Sequence, residues 1–206
     1  MKKEEKTKRT YERIMAAAIV EFGTKSYDSA SITTLCNENQ ISKGLIYHNF
    51  KNKDDLYLKC VETSFREMAA YMKKREYKAD SVKESIHNIF STRQQFFEEN
   101  PYYSHIFFNT VLQPPRHLLP EIQEIRRKAD EFYTECFRDL LQKMKLRKGI
   151  TLEMAMEYFM VFTEMYNGYF QSKSGGMNDM HALIKNHEVN LSRILDIMLY
   201  GVANEE

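Results

Sequence analysis

Three features of the 206-residue chain predict an all-α fold. Apolar residues recur at spacings of three and four along most of its length, as in helices with one buried face. Strand chemistry is lacking: sustained alternation is absent, and only 7 Gly and 4 Pro are available for turns. The breakers that do occur stand in clusters, at Asn100-Pro101, Gln113-Pro114-Pro115, Leu119-Pro120, Arg147–Gly149 and Ser172–Asn178. They divide the chain after Asp80 into about five helices.

The first helix carries Tyr11, Ile14, Ala18 and Phe22 on one face, around the strong helix formers Ala16, Ala17 and Ala18. Residues Ser31-Ile-Thr-Thr-Leu-Cys-Asn predict a short second helix, and Glu38-Asn-Gln-Ile41 a polar turn closed by one apolar residue. Residues Ser42 to Phe50 then predict a third helix, so 31–50 reads as helix, tight turn, helix. Ile32, Leu35, Ile46 and Phe50 face inward, and Ile41 plugs the angle between the two helices. Lys43, Gly44, Leu45, Tyr47 and His48 face outward.

The outward set has the chemistry of a surface that meets DNA. Ser42 is placed to cap the helix, leaving its positive end toward phosphate or base edges. Gly44 costs about 1 kcal/mol relative to Ala inside a helix, which makes sense if a side chain there would hold the backbone off a partner. Lys43 has the reach for a guanine edge, and Leu45 suits a thymine methyl. Next, Lys51-Asn52-Lys53-Asp54-Asp55 opens a long helix expected to run to about Tyr77, with Leu56, Cys60 and Thr63 on one side. Asn52 is its expected cap, and the first-turn amides with Lys51 and Lys53 read as a second anion site.

Beyond it, Phe96 to Phe137 is crowded with aromatics that suit an adaptable apolar pocket. Tyr102, Tyr103, His105, Tyr133 and Tyr166 add polar tips able to orient a ligand. In the penultimate helix, Leu152, Met156, Phe159, Thr163, Tyr166 and Phe170 form one stripe, and Ala155, Phe162, Met165 and Tyr169 form a second apolar face. Its polar stripe, Glu153, Glu157, Glu164, Asn167 and Gln171, is narrow. The final helix repeats the pattern with Ile184, Leu191, Ile194, Leu195 and Met198. One helix cannot bury both faces within a small domain, so these two helices are expected to pack on their copies as a four-helix bundle in a twofold homodimer.

Composition bounds the function. The net charge is +1, but residues 1–53 hold ten basic against six acidic side chains, which puts positive charge where DNA is expected. The charged start, Met1 to Arg9, lacks an apolar core and is not expected to be a secretory signal. No apolar run reaches the length of a membrane span. Cys36, Cys60 and Cys136 form no CxxC, which fits a reducing compartment; Cys36 reads as core, while Cys60 and Cys136 would sense redox state only if exposed. The histidines show no i, i+4 pair, so no metal is expected, and no cofactor or catalytic motif is present that would make the chain an enzyme.

The stretch from about Lys8 to Ser64 resembles the DNA-binding domain of the tetracycline-repressor (TetR/AcrR) family. The resemblance rests on Glu21-Phe22-Gly23, Ser31-Ile-Thr-Thr-Leu and the run Ile41 to Leu56. It implies a three-helix helix-turn-helix DNA-binding domain at 8–68, with its motif at 31–50, and a helical ligand-binding and dimerisation domain at 69–206. Thr33, Tyr47 and His48 would contact phosphates, Ser42, Lys43, Gly44 and Leu45 would lie at base edges, and Lys53 with its helix N-terminus would hold the backbone, beside the Lys51 already read as part of the second anion site. A small apolar or amphipathic inducer would sit among Phe96, Tyr102, Tyr103, His105, Phe108, Tyr133, Phe137, Phe159 and Tyr166. The expected protein is a cytoplasmic homodimeric repressor of a double-stranded DNA operator. The alternative is an architectural or adaptor DNA-binding protein without a ligand. Two positions depart from the family pattern: Gln40 stands where Gly is usual, and Asn49 where an aromatic is. A left-handed backbone is therefore expected at Gln40 or its neighbour Asn39.

Overall fold

The computed structural model describes residues 3–75, 77, 81–174 and 180–202. Nine α-helices are seen among them: α1 (Lys3–Phe22), α2 (Ile32–Asn39), α3 (Lys43–Asn49), α4 (Lys53–Lys73), α5 (Val82–Glu99), α6 (Pro101–Leu112), α7 (Leu119–Leu141), α8 (Leu152–Ser174) and α9 (Met180–Val202). A short 3-10 helix, Arg116–Leu118, precedes α7. The fold is all-α. Two ends differ from expectation. The helix expected to reach Tyr77 stops at Lys73, where Tyr77 folds back and donates its hydroxyl to the Met72 carbonyl at 2.8 Å. Leu119-Pro120 opens α7 and does not break it, because a proline in the first turn forfeits no intrahelical bond. Residues 175–178 of the expected break after Ser172 lie outside the described residues.

The chain divides into two compact units. Unit 1 comprises Met1–Glu67 and Phe97–Ile125; unit 2 comprises Met68–Phe96 and Arg126–Glu206. Segment 97–125 thus belongs with the N-terminal residues. In unit 1, Ile14, Ala18 and Phe22 of α1 are buried with Leu35, Ile41, Ile46, Phe50, Leu56 and Val61. α6 adds an almost wholly buried run from Ile106 to Leu112. Its Phe107 lies 4.8 Å from Phe65 and 5.0 Å from Phe97, ring centre to ring centre. Gly23 explains how α1 approaches α6 so closely: a Cβ there would lie 2.6 Å from the Tyr102 Cβ and 2.8 Å from its Cα. Polar atoms inside the unit are paired. The Ser64 hydroxyl donates to the Tyr103 carbonyl at 2.9 Å, and the Tyr57 and Thr110 hydroxyls meet at 3.2 Å.

In unit 2 the Phe137 and Phe159 rings stack at 3.7 Å, with Phe90 6.1 Å from Phe137. The helical period of α8 is as read and Met156, Phe159, Tyr166 and Phe170 of its first stripe are buried, but the second face and the polar stripe are each split between buried and exposed positions. Ala155, Phe162 and Asn167 are buried, whereas Met154, Tyr158, Met160, Val161, Met165 and Tyr169 are exposed. Asn167, expected on the solvated stripe, makes a buried hydrogen bond to His187. Leu191, Leu195 and Met198 of α9 are buried within this chain and so are not available to a partner. Among the described residues no helix is long and apolar enough to cross a membrane.

Candidate nucleic-acid interface

The helix-turn-helix is fixed by short-range bonds. Ser31 caps α2, its hydroxyl accepting from the Thr34 amide at 3.3 Å. The Ser31 amide in turn donates to the buried Glu21 carboxylate at 2.7 Å, which Lys25 neutralises. Gln40 adopts the left-handed conformation, φ 53° and ψ 43°. Asn39 does not, since Gln40 is the only non-glycine with positive φ among the described residues. The Arg13 guanidinium on α1 donates to the Asn39 carbonyl at 2.6 Å and the Gln40 carbonyl at 3.1 Å, which clamps the strained turn.

α3 starts at the Ser42 cap, whose hydroxyl accepts from the Leu45 amide at 3.2 Å. Ile46 is fully buried between Ile41 and Phe50 in sequence, and both of these are buried as well. Ser42, Lys43, Gly44, Tyr47 and His48 are exposed, Leu45 is half-buried, and Thr33 on α2 is exposed. Asn49 donates its side-chain amide to the Leu45 carbonyl at 2.8 Å, a local bond that replaces the packing of an aromatic. A Cβ at Gly44 would meet no atom within 4 Å. Nothing in the chain's own packing demands glycine there.

The head of α4 is capped reciprocally. The Asp55 amide donates to the Asn52 side chain at 2.8 Å, and the Lys51 amide donates to the Asp55 carboxylate at 2.9 Å. The second anion site is therefore narrower than the sequence suggested, because two amides are already engaged by the chain's own acceptors. Lys51 is exposed; the Lys53 ammonium sits 4.3 Å from the centre of the Tyr27 ring.

The residues expected to line a ligand pocket divide between the units. Tyr102, Tyr103, His105 and Phe108 belong to unit 1; Phe96, Tyr133, Phe137, Phe159 and Tyr166 belong to unit 2. His105 bonds Asn109 at 2.9 Å, and burial pushes its pKa down. Tyr133 and Tyr166 border a buried polar network that sequence reasoning missed. Arg93 on α5 makes a bidentate pair with Glu188 on α9, at 2.7 and 3.1 Å. His187 Nδ1 lies 3.0 Å from the Glu188 carboxylate and Nε2 lies 3.1 Å from the Asn167 carboxamide, while Tyr166 donates to the His187 carbonyl at 2.7 Å. Burial works to raise the Glu188 pKa, but Arg93 and His187 outweigh it and hold the carboxyl below its usual range. Burial pushes the His187 pKa down. Sequence gave no sign of a pair 95 residues apart.

Other groups are simpler. Cys60 is fully buried and burial pushes its thiol well up, so it offers no reactive thiolate. Cys136 is half-buried with its pKa also raised by burial, and Cys36 is core. Among the described residues no group of three His, Cys, Asp or Glu is placed to hold a metal ion.

The fold and this head define a helix-turn-helix protein with a second helical unit. Residues 14–60 match the family described as bacterial regulatory proteins, tetR family, and residues 80–200 match the tetracyclin repressor-like C-terminal domain. The chain belongs to the TetR family of transcription regulators. The Transposon Tn10 TetC protein of Escherichia coli is 26% identical over 144 residues, covering 68% of each chain. FadR from Bacillus subtilis, solved in complex with stearoyl-CoA, is 15% identical with a TM-score of 0.62, covering 93% of this chain and 98% of that one. NalD of Pseudomonas aeruginosa, the secondary repressor of the MexAB-OprM multidrug efflux pump, is 15% identical with a TM-score of 0.61, covering 98% and 100%. These two structures are alike in fold; the family matches carry the assignment. Family and neighbours are regulators and not enzymes.

Proposed function

We propose that the chain is a homodimeric repressor that leaves its operator when a small apolar or amphipathic ligand binds. The observation that carries the DNA reading is the outer face of α3, where Ser42, Lys43, Gly44, Tyr47 and His48 are exposed and Gly44 has open space around it. Lys43 supplies base readout, Leu45 an apolar contact, and Thr33, Tyr47, His48, Lys51 and Lys53 hold phosphates. With so few base-reading side chains, half-site spacing and DNA deformability carry much of the specificity.

Dimerisation is supported by an exposed apolar stripe on α8. Met154, Tyr158, Val161, Met165 and Tyr169 of α8 repeat at spacings of four and three, and all are exposed, as are Val189 and Ile197 of α9. Beside them runs an apolar groove of about 430 Å³ lined by Phe162, Met165, Tyr166, Tyr169, Phe170, Asn190 and Ile194. A second copy would cover this surface in a four-helix bundle and set the two α3 helices about 34–36 Å apart, one turn of DNA. The ligand would enter unit 2 against Tyr133, Phe137, Phe159 and Tyr166, with Phe96 of α5 in the same unit. Stearoyl-CoA in FadR is a ligand of this amphipathic class. α4, α5 and α7 each carry residues of both units without a break, so each is a covalent route between ligand and head. An operator as target places the protein in the cytoplasm.

A thermal-shift screen of acyl-CoAs and other amphiphiles, followed by a gel-shift competition, tests the reading. A compound that raises the melting temperature and also frees DNA supports it. A protein stabilised by DNA alone is an architectural one.

A further inference from the structure

Tyr27, Asp54 and His117 meet within unit 1 beside Lys53, although 63 residues separate Asp54 from His117. The Tyr27 hydroxyl donates to the Asp54 carboxylate. His117 Nε2 lies 3.4 Å from the same carboxylate oxygen, and its ring centre is 5.4 Å from that of Tyr27. The Tyr27 ring is itself held edge-on by Tyr57 at 5.0 Å and stacked on Phe22 at 6.5 Å. The hydrogen bond from Tyr27, above all, keeps the Asp54 pKa below its usual value, with His117 and Lys53 adding to the effect. Asp54 is therefore an anion in the first turn of α4.

An anion at that place competes with phosphate. Left unheld, Asp54 would draw on the amides at the head of α4 and on the Lys53 ammonium, the donors that a DNA backbone needs. Here it is tied to Tyr27 and His117 instead, and the same Tyr27 ring carries the Lys53 ammonium on its face. His117 does not belong to the helix-turn-helix. It sits on the 3-10 helix Arg116–Leu118, in the connection between α6 and α7.

We infer that Tyr27 and His117 are positioning residues for the DNA contact of Lys53: they engage Asp54, and release of His117 by a shift of the α6–α7 connection lowers DNA affinity. The inference rests on the DNA-binding reading and adds to it a point in unit 1, outside the helix-turn-helix, at which the α6–α7 connection acts on the phosphate anchor.

The test uses the full chain in fluorescence anisotropy, with a duplex enriched from a random pool by the wild-type protein and a scrambled duplex of equal length, across a salt series. His117→Ala and Tyr27→Phe should each weaken both duplexes by about fivefold, the worth of one exposed charged contact, and reduce the salt slope by about one unit. In an Asp54→Asn background, where no carboxylate remains to be held, His117→Ala should have no further effect. Unchanged affinity and slope for His117→Ala, a loss confined to the enriched duplex, or an equal loss in the Asp54→Asn background would each overturn the inference while leaving DNA binding intact. A wild-type chain that enriches no duplex would overturn the DNA reading and this inference with it. His117 is more than half exposed, so its removal leaves the fold unthreatened.

Discussion

At Gln40 the backbone turns left-handed on a residue that carries a Cβ, and at Gly44 a helix forgoes a Cβ for which there is room. The two positions separate stability from function. A left-handed residue with a Cβ costs about 1 kcal/mol, and the Arg13 bonds go to main-chain carbonyls that a replacement retains. Gln40→Gly should therefore raise unfolding free energy by about 0.5–1 kcal/mol in urea titrations and leave DNA affinity unchanged; a destabilised variant would contradict the strain argument. Gly44→Ala should also stabilise, by up to about 1 kcal/mol, yet weaken binding to every duplex because the methyl stands between the α3 backbone and its partner. Retention of full affinity would remove Gly44 from the DNA face.

Among elements, α5, α8 and α9 are joined by the Arg93, Glu188, His187 and Asn167 network, buried in unit 2. Such a pair adds little over a hydrophobic core, but loss of one partner strands the other at a cost of about 3–5 kcal/mol. The network makes stability depend on pH with a definite sign. His187 and His105 have folded pKa values below the ordinary 6.5, and Glu188 lies below the ordinary 4.5. At these three groups the unfolded chain binds more protons than the folded one, so their contribution to stability rises with pH. The histidine contributions are complete above about pH 6.5 and are lost as pH falls toward the folded values; the Glu188 contribution is complete above about 4.5 and lost below it. Melting temperature should drop between pH 7 and pH 5, and His187→Gln should flatten part of that drop. A midpoint independent of pH over this range would refute the assignment of His187 as a buried neutral ring.

For the whole molecule, the face that matters is the one the single chain leaves uncovered. Met165 is 65% exposed and Ile197 71% exposed, so a charge at either meets water in the isolated chain. Met165→Glu should leave the fold and its melting cooperativity intact while shifting sedimentation from dimer to monomer. Affinity for a duplex with two half-sites should fall steeply, because each head then binds alone, while binding to a single half-site should change little. A variant that sediments as a dimer would place the association surface elsewhere.

Much of the head was legible because its determinants are local. Ser42 and Asn52 cap helices within three residues of themselves, and the spacing of Leu35, Ile41, Ile46 and Phe50 already states which face is inward. The α8 face was legible only in part. Helical period says which side chains share a side, but coverage depends on what packs there, and so Phe162 and Asn167 were assigned to surfaces that α9 and its neighbours in unit 2 in fact bury. Contacts between distant residues were not legible at all. Arg93 with Glu188, and Asp54 with Tyr27 and His117, are ordinary polar residues of helices and turns until the fold brings them together. The sequence alone determined the helices, two of their caps and the outward set of α3, since these are fixed over a few residues. Only the tertiary structure decided which apolar face stays open and which charges are paired, since burial and long-range contact are properties of the packed chain.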